Sequence, residues 1–337
     1  MIADKKNKCP GCKRTDCGGC GIYRKLNTNK QVRIQFPPDF RAEPAQGLGI
    51  SFDVGTTTLA GMLWDLGNAS LLDAETGTNP QAVFGTDVIS RLQAAAKEEN
   101  REKMRKMLTD KLDEMAFQMV KPFIRTGREE EEKATWTDIK KVVIVGNTAM
   151  CEILLGIKPE GLLKAPFTPD YKQIRQRKGK SFGFSFLQNA DIIVLPPIGG
   201  YVGADALAVY HYVNSCEKGK ILAVDIGTNG EILLLNGSRK FACSAAAGPA
   251  LEGGAVCCGM RAVKGAIDMV SLNGRFPMED IVCRVIGEAV PLGICGSGLM
   301  DALALLLQTG VLDSNGYMKN SREAKASGVP PRIIRRI

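Results

Sequence analysis

Ile50-Ser51-Phe52-Asp53-Val54-Gly55-Thr56-Thr57-Thr58 has a counterpart far along the chain, Leu222-Ala223-Val224-Asp225-Ile226-Gly227-Thr228-Asn229-Gly230. In both, a short apolar run ends in Asp. An aliphatic residue, Gly and Thr follow, and then a second apolar run, at residues 59–66 in the first copy and 231–235 in the second. Such a pattern reads as strand, tight glycine turn, strand, and its duplication implies two related lobes. Glycine lets a backbone approach a ligand closely. Threonine hydroxyls and turn N–H groups suit phosphate oxygens, and the two carboxylates, Asp53 and Asp225, can hold Mg2+ or orient a water.

The duplication extends beyond the turns. Val145-Gly146-Asn147-Thr148 and Cys295-Gly296-Ser297-Gly298 are both small-residue turns before an apolar helical stretch, where a helix N-terminus can pack closely. Strands are expected at residues 31–35, 50–54, 59–66, 70–72, 141–145, 191–195, 221–224, 231–235 and 240–244. A long helix is expected from near Asp87, with Met104, Leu108, Leu112, Met115 and Met119 at helical spacing as core. Further helices are expected after the Gly199–Gly203 turn, to about Asn214, and over residues 299–307. Residues 129–133 read as a solvated charged loop and residues 158–183 as loop-rich. The domains expected are a Cys-rich motif (1–24), a linker (25–48), a first lobe (49–218) and a second lobe (219–337).

The chain's 337 residues suffice for two domains of ~100–200 residues each. No apolar run reaches the ~18–20 residues of a membrane span, and the opening residues do not read as a signal peptide, so a cytoplasmic location without membrane contact is expected. The single histidine, His211, excludes chemistry that needs two and is given no role. The net charge of +8 comes with no aromatic-interleaved basic stripe, which argues against nucleic-acid binding; basic segments can instead dock an acidic protein.

Cys9, Cys12, Cys17 and Cys20 form a CxxC-x4-CxxC motif with glycines and a proline around it. In a chain read as cytoplasmic, disulfides are disfavoured and a metal centre is the natural reading. Zinc ribbons place ~15–20 residues between their CxxC pairs, whereas crowded cysteines suit a [4Fe–4S] cluster. Zinc stays open as the alternative. Cys243, Cys257, Cys258 and Cys295 lie beside glycine-rich turns and read as small buried residues.

The duplicated turns resemble those of the actin, sugar-kinase and heat-shock-chaperone ATPase superfamily. Further motifs narrow the resemblance: Asn79-Pro80-Gln81, Gly85-Thr86-Asp87-Val88-Ile89-Ser90-Arg91, Val145-Gly146-Asn147-Thr148-Ala149-Met150, Gly199-Gly200-Tyr201-Val202-Gly203-Ala204-Asp205, Ala246-Ala247-Gly248-Pro249-Ala250 and Gly259-Met260-Arg261-Ala262. In this order, over about residues 48–318, they are similar to the ATPase domain of reductive activators of corrinoid-dependent enzymes. The resemblance implies an α/β, two-lobed actin/sugar-kinase-like fold of duplicated hairpins with flanking helices, preceded by the Cys-rich tail. It implies ATP-dependent transfer of a low-potential electron from an iron–sulfur cluster to a Co(II) corrinoid protein, giving Co(I), with a reduced electron donor upstream. A homodimer is left open.

The resemblance also implies roles. Asp53 and Asp225 would act on Mg2+ and phosphate. Gly55, Thr56, Thr57, Gly227 and Thr228 would form the phosphate loops. Asn229 and Glu231 would position metal or water, Asp205 would meet Mg2+ through water, and Gly248 would approach the nucleotide. Asp87 and Arg91 read as structural. Many relatives carry a plant-type [2Fe–2S] domain where this chain has only the short cysteine motif. The superfamily's adenosine-binding glycine motif is not found before residue 337, so an incomplete second lobe with exposed apolar faces is expected. The alternatives are a small-molecule kinase with a structural zinc tail, or a truncated, non-catalytic metal- or partner-binding protein.

Overall fold

The structure, a computed structural model, describes residues 22–25, 31–34, 45–123, 139–216, 219–253, 256–273 and 280–335. The four tail cysteines and the 129–133 loop lie outside these residues. The chain divides into two compact units, one of Met1–Asp225 with Glu231–Ser244, the other of Ile226–Gly230 with Ala245–Ile337.

In the first unit, β1 (Ile22–Lys25) pairs antiparallel with β2 (Gln31–Ile34). A six-stranded sheet is built from β3 (Leu48–Val54), β4 (Thr58–Asp65), β5 (Ser70–Thr78), β6 (Ile139–Gly146), β7 (Arg175–Lys178) and β8 (Asp191–Val194), in the order β5-β4-β3-β6-β8-β7. The β3–β5 segment is an antiparallel meander; β3, β6 and β8 run parallel, and β7 closes the edge antiparallel. A three-stranded sheet has β9 (Lys220–Ile226), β10 (Asn229–Asn236) and β11 (Arg239–Ala246), in the order β11-β10-β9; its residues belong to this unit except Ile226, Asn229, Gly230, Ala245 and Ala246, which belong to the second.

The helices of this unit are α1 (Val88–Ala95), α2 (Glu98–Val120), α3 (Thr148–Leu154), α4 (Glu160–Leu163), α5 (Gly179–Phe182) and α6 (Ala204–Cys216). The expected methionine and leucine stripe is buried where α2 packs on β4 and β5. Gly61 makes this packing close: a Cβ there would stand 3.0 Å from the end of Met119 on α2 and 2.7 Å from the Phe52 ring on β3. The opposite face of α2 carries the pairs Lys103–Glu99 and Lys106–Asp110 one turn apart.

Two expectations need correction here. The single long helix from Asp87 is two helices. The carbonyls at the end of α1 accept side-chain N–H groups, Asn100 Nδ2 on Ala94 and Arg101 Nη1 on Ala95, so α1 stops and α2 restarts at a new angle of the chain, with Lys97 extended between them. The short 70–72 strand runs on to Thr78, because β5 keeps its ladder with β4 as far as the Thr58–Thr78 pair.

In the second unit, β12 (Ala266–Asn273) pairs antiparallel with β13 (Asp280–Val285) and parallel with β14 (Gly293–Ile294). Helix α7 (Gly296–Gln308) lies on β12. Gly298 permits that contact, since a Cβ would come 2.3 Å from the Ile267 carbonyl. Short helices α8 (Ser321–Ala326) and α9 (Pro331–Ile334) complete a small core of Val311, Ala324, Val329 and Ile333.

Apolar side chains are exposed along one face of β9 (Leu222, Val224, Ile226) and on α7 (Met300, Leu303, Leu307). Cys295 is buried as expected, but Cys243, Cys257 and Cys258 are exposed. The last three sit on an edge strand and a turn, where small size brings no burial. Among the described residues no helix is long and apolar enough to cross a membrane.

Candidate functional site

The first glycine turn joins β3 to β4, and the Gly55 N–H closes it by donating to the Thr58 carbonyl at 3.0 Å. A Cβ on Gly55 would meet that oxygen at 2.7 Å, so the turn needs glycine for space. Two further glycines draw neighbouring elements against its base. A Cβ on Gly146, at the end of β6, would stand 2.4 Å from the Val54 carbonyl. One on Gly203, just before α6, would stand 2.4 Å from the Gly146 carbonyl and 2.5 Å from Asp205 Oδ1. The Asn147 N–H donates to the Val54 carbonyl at 3.2 Å. The carboxyl end of β3, the carboxyl end of β6 and the amino end of α6 are thus stacked at glycine contact.

This stacking gathers charge. Asp53 is on β3, Asp205 in the first turn of α6, Asp225 near the end of β9 and Glu231 on β10, all four in the first unit. Asp53 keeps accessible surface, yet the protein encloses it at longer range. That loss of solvent, then repulsion from Asp205 and Asp225, raises its carboxyl to about 7. Its contact with water screens part of the repulsion. Asp205 rises to about 6, through burial and then Asp225, against a 2.7 Å hydrogen bond from the Ala206 N–H. Glu231 is buried and rises to about 7, through burial and then Asp205, with the Ser244 hydroxyl donating to Oε1 at 3.1 Å in opposition. Three carboxylates, Asp53, Asp205 and Glu231, are thus raised by burial and by acidic neighbours that include Asp225, a pattern typical of functional sites.

No three or more His, Cys, Asp and Glu side chains stand close enough to cage a metal by themselves among the described residues. Mg2+ does not ask for a cage: it keeps several waters and takes one or two carboxylates together with phosphate oxygens. The donor set therefore fits Mg2+ brought with a phosphate ligand.

The other expected residues divide between the units. Gly55, Thr56 and Thr57 are in the first unit with the carboxylates. Gly227, Thr228 and Asn229 are in the second, with Gly248. There the Gly227 N–H donates to the Asn229 carbonyl at 3.3 Å, and the Thr228 carbonyl accepts from the Ala247 and Gly248 N–H groups at 3.2 and 2.9 Å. Gly248 has φ +81° with nothing within 4 Å of a would-be Cβ, so it is needed for its backbone conformation.

Arg91, read as structural, and Asn79, read only as part of the Asn79-Pro80-Gln81 motif, lie against the first turn. Asn79 and Arg91 are both fully buried and both bond the first turn. Cys151 lies close by, but it is fully buried, and burial pushes its thiol up to about 12, which makes it an inert core residue.

Comparison with known proteins gives two family matches. Residues 48–215 match the RACo middle region, and residues 219–332 match the C-terminal domain of RACo, the ASKHA domain. Among curated proteins, the chain is 35% identical over 270 residues to the corrinoid activation enzyme RamQ of Eubacterium limosum, covering 80% of this chain and 43% of that one. It is 34% identical over 167 residues to a [Co(II) methylated amine-specific corrinoid protein] reductase of Methanosarcina barkeri, covering 44% of this chain and 31% of that one. Among solved structures, a reductive activator for a corrinoid, iron-sulfur protein superposes with a TM-score of 0.71 at 32% identity, over 84% of this chain and 43% of that chain. The chain spans less than half the length of each of these proteins. The α/β, actin- and sugar-kinase-like class expected from the duplicated turns agrees with the ASKHA match.

Proposed function

This chain belongs to the RACo family, whose middle region and C-terminal ASKHA domain it carries, and we propose that it uses MgATP to drive the reduction of a Co(II) corrinoid protein to Co(I). The observation that carries this reading is the glycine-packed first turn, with Asp53 at the end of β3 and Asp205 at the start of α6 stacked against it, and with Asp53, Asp205 and Glu231 raised by burial and by one another or Asp225. A divalent cation arriving with a triphosphate would relieve their repulsion, and the glycine turn offers N–H and hydroxyl donors to the phosphates. The chemistry on ATP then rests on positioning and charge, with no covalent nucleophile.

In this proposal Asp53 and Asp225 hold Mg2+, Asp205 meets it through water, and Glu231 and Asn229 orient water or metal. Gly55, Thr56 and Thr57 serve one phosphate loop, Gly227 and Thr228 the other, and Gly248 supports the second through its bond to Thr228. Cys9, Cys12, Cys17 and Cys20 are four thiolates within twelve residues, a donor set suited to a [4Fe–4S] cluster. Such a cluster would supply low-potential electrons singly and be recharged by a reduced donor.

The test is anaerobic. The chain is purified, its iron, sulfide and zinc are measured, and it is offered Co(II) forms of a methylated-amine-specific corrinoid protein and a corrinoid iron–sulfur protein, with a low-potential reductant. Co(I) absorbance that appears only with MgATP, from protein containing iron and sulfide, is the expected result. Zinc without iron, or Co(I) formed equally well without ATP, would overturn the proposal.

A further inference from the structure

Three successive carbonyls of the first glycine turn are held by two buried side chains and one backbone group. The Gly55 carbonyl accepts from Asn79 Nδ2 at 2.9 Å. The Thr56 carbonyl accepts from Arg91 Nη1 at 2.5 Å. The Thr57 carbonyl accepts from the Asn79 N–H at 2.9 Å. Arg91 Nε also donates to the Gly85 carbonyl at 2.9 Å. Asn79 Oδ1 accepts from the Gln81 N–H at 3.0 Å, which fixes the amide's orientation. Asn79 Nδ2 and Arg91 Nη1 both reach Met150 Sδ at 3.5 Å, so the two side chains share one pocket.

The elements that deliver these groups are themselves fixed. Asp87 caps α1 with a capping box to Ser90, which sets the direction of the helix carrying Arg91. Gly85 lies against that cap; a Cβ there would stand 2.1 Å from Ser90 Oγ. Thr56 is itself buried, so the turn is packed down onto this network.

Such a network has a directional consequence. In a trans peptide the N–H of a residue points opposite to the carbonyl of the residue before it. With the Gly55 and Thr56 carbonyls drawn toward Asn79 and Arg91, the N–H groups of Thr56 and Thr57 are turned away from them. Enclosing a guanidinium is costly unless it is well compensated. Here burial lowers the Arg91 pKa to about 10, and Asp87 opposes that only in part. Simple packing of this pocket would be served as well by an apolar side chain of similar size.

The geometry points to Asn79 and Arg91 as positioning residues of the first phosphate turn: they hold its carbonyls inward and its N–H edge outward, in the shape that receives the phosphates of MgATP. The inference rests on the nucleotide reading above and assigns a task to two motifs, Asn79-Pro80-Gln81 and the Gly85–Arg91 segment, that reading leaves without one.

Asn79→Ser, Arg91→Lys and Arg91→Met are compared with the wild-type chain by amide hydrogen exchange and by calorimetric titration with MgATP. Faster exchange in residues 54–58, with α2 as protected as before, is expected in Asn79→Ser and Arg91→Met. MgATP affinity is expected to fall at least about tenfold, the scale of one lost charged hydrogen bond, with part of it restored in Arg91→Lys. Wild-type binding with unchanged affinity in all variants would overturn this inference alone. Exchange that rises equally in α2 would also overturn it, by making the two residues general core packing. A wild-type chain that does not bind MgATP would overturn the nucleotide reading and the inference with it.

Discussion

The two copies of the strand–turn motif share a sequence pattern and differ in nearly everything that surrounds it. Phe52 is 1% exposed; its counterpart Val224 is 52% exposed. Ile50 and Val54 are buried, whereas Leu222 and Ile226 are exposed. The first turn closes from Gly55 to Thr58 and is held by the side chains of Asn79 and Arg91. The second closes more tightly, from Gly227 to Asn229, and is held by the backbone of Ala247 and Gly248. The turn is thus a local property of Asp, Gly and Thr. Its surroundings come from segments with no repeat relationship: α2 covers the first copy and Asn79 and Arg91 hold its turn, whereas the 247–248 loop holds the second. A duplicated fingerprint does not imply duplicated packing.

That contrast can be broken most forcefully in the core. Phe52→Ala is expected to cost about 3–5 kcal/mol in chemical denaturation, and Val224→Ala no more than about 0.5 kcal/mol. Equal costs would mean that the β9 face is covered in solution. Next come the glycines. Gly146→Ala places a Cβ against the Val54 carbonyl and should cost roughly 1–3 kcal/mol. Gly248→Ala meets no neighbour and should cost about 1–2 kcal/mol through its left-handed backbone alone. Because Gly248 supports only the second turn, hydrogen exchange in residues 54–58 should not change.

The carboxylates sharpen the comparison through pH. Asp53 and Glu231 have ordinary values of 3.8 and 4.5 and are raised to about 7 in the folded chain. Between those limits the folded state keeps protons that the unfolded chain releases. Stability from these groups is therefore greatest below about 4, falls as pH rises toward 7, and is level above it. Urea midpoints between pH 5 and 7.5 should show the fall, and Glu231→Gln should flatten it. Glu152, also raised to about 7 by burial, adds to the same slope, so Glu152→Gln serves as the control away from the cluster. A modest effect is expected at the base of the Arg91 helix: Asp87→Ala removes a capping box and should cost about 1 kcal/mol in thermal unfolding.

Much of this was legible in the sequence. Strands β3, β4, β6 and β8 and the β9–β11 sheet announce themselves through apolar runs ended by glycine, and the α2 stripe through its period. Edge strand β7 does not, because Arg175, Gln176, Arg177 and Lys178 are all exposed and show no alternation. Strands β12 and β13 mix Asp268, Ser271 and Arg284 into their runs, and Asp268 and Arg284 satisfy each other by a paired salt bridge that only the fold reveals. Asp53, Asp205, Asp225 and Glu231 stand out in the sequence because they follow or precede glycine turns; their roles belong to the proposal above. Arg91 reads as structural in the sequence, and its contact with the first turn is not visible there. Its burial depends on a carbonyl thirty-five positions earlier in the chain, a relation that no local pattern encodes.

The central claim is that the carboxylates beside the first turn bind a nucleotide through Mg2+. The most direct measurement is calorimetric titration of ATP into the wild-type chain and into Asp53→Asn, each with Mg2+ and with a chelator. The account predicts binding to the wild type that requires Mg2+ and is lost in Asp53→Asn. ATP binding of equal strength without Mg2+, or undiminished in Asp53→Asn, would contradict it.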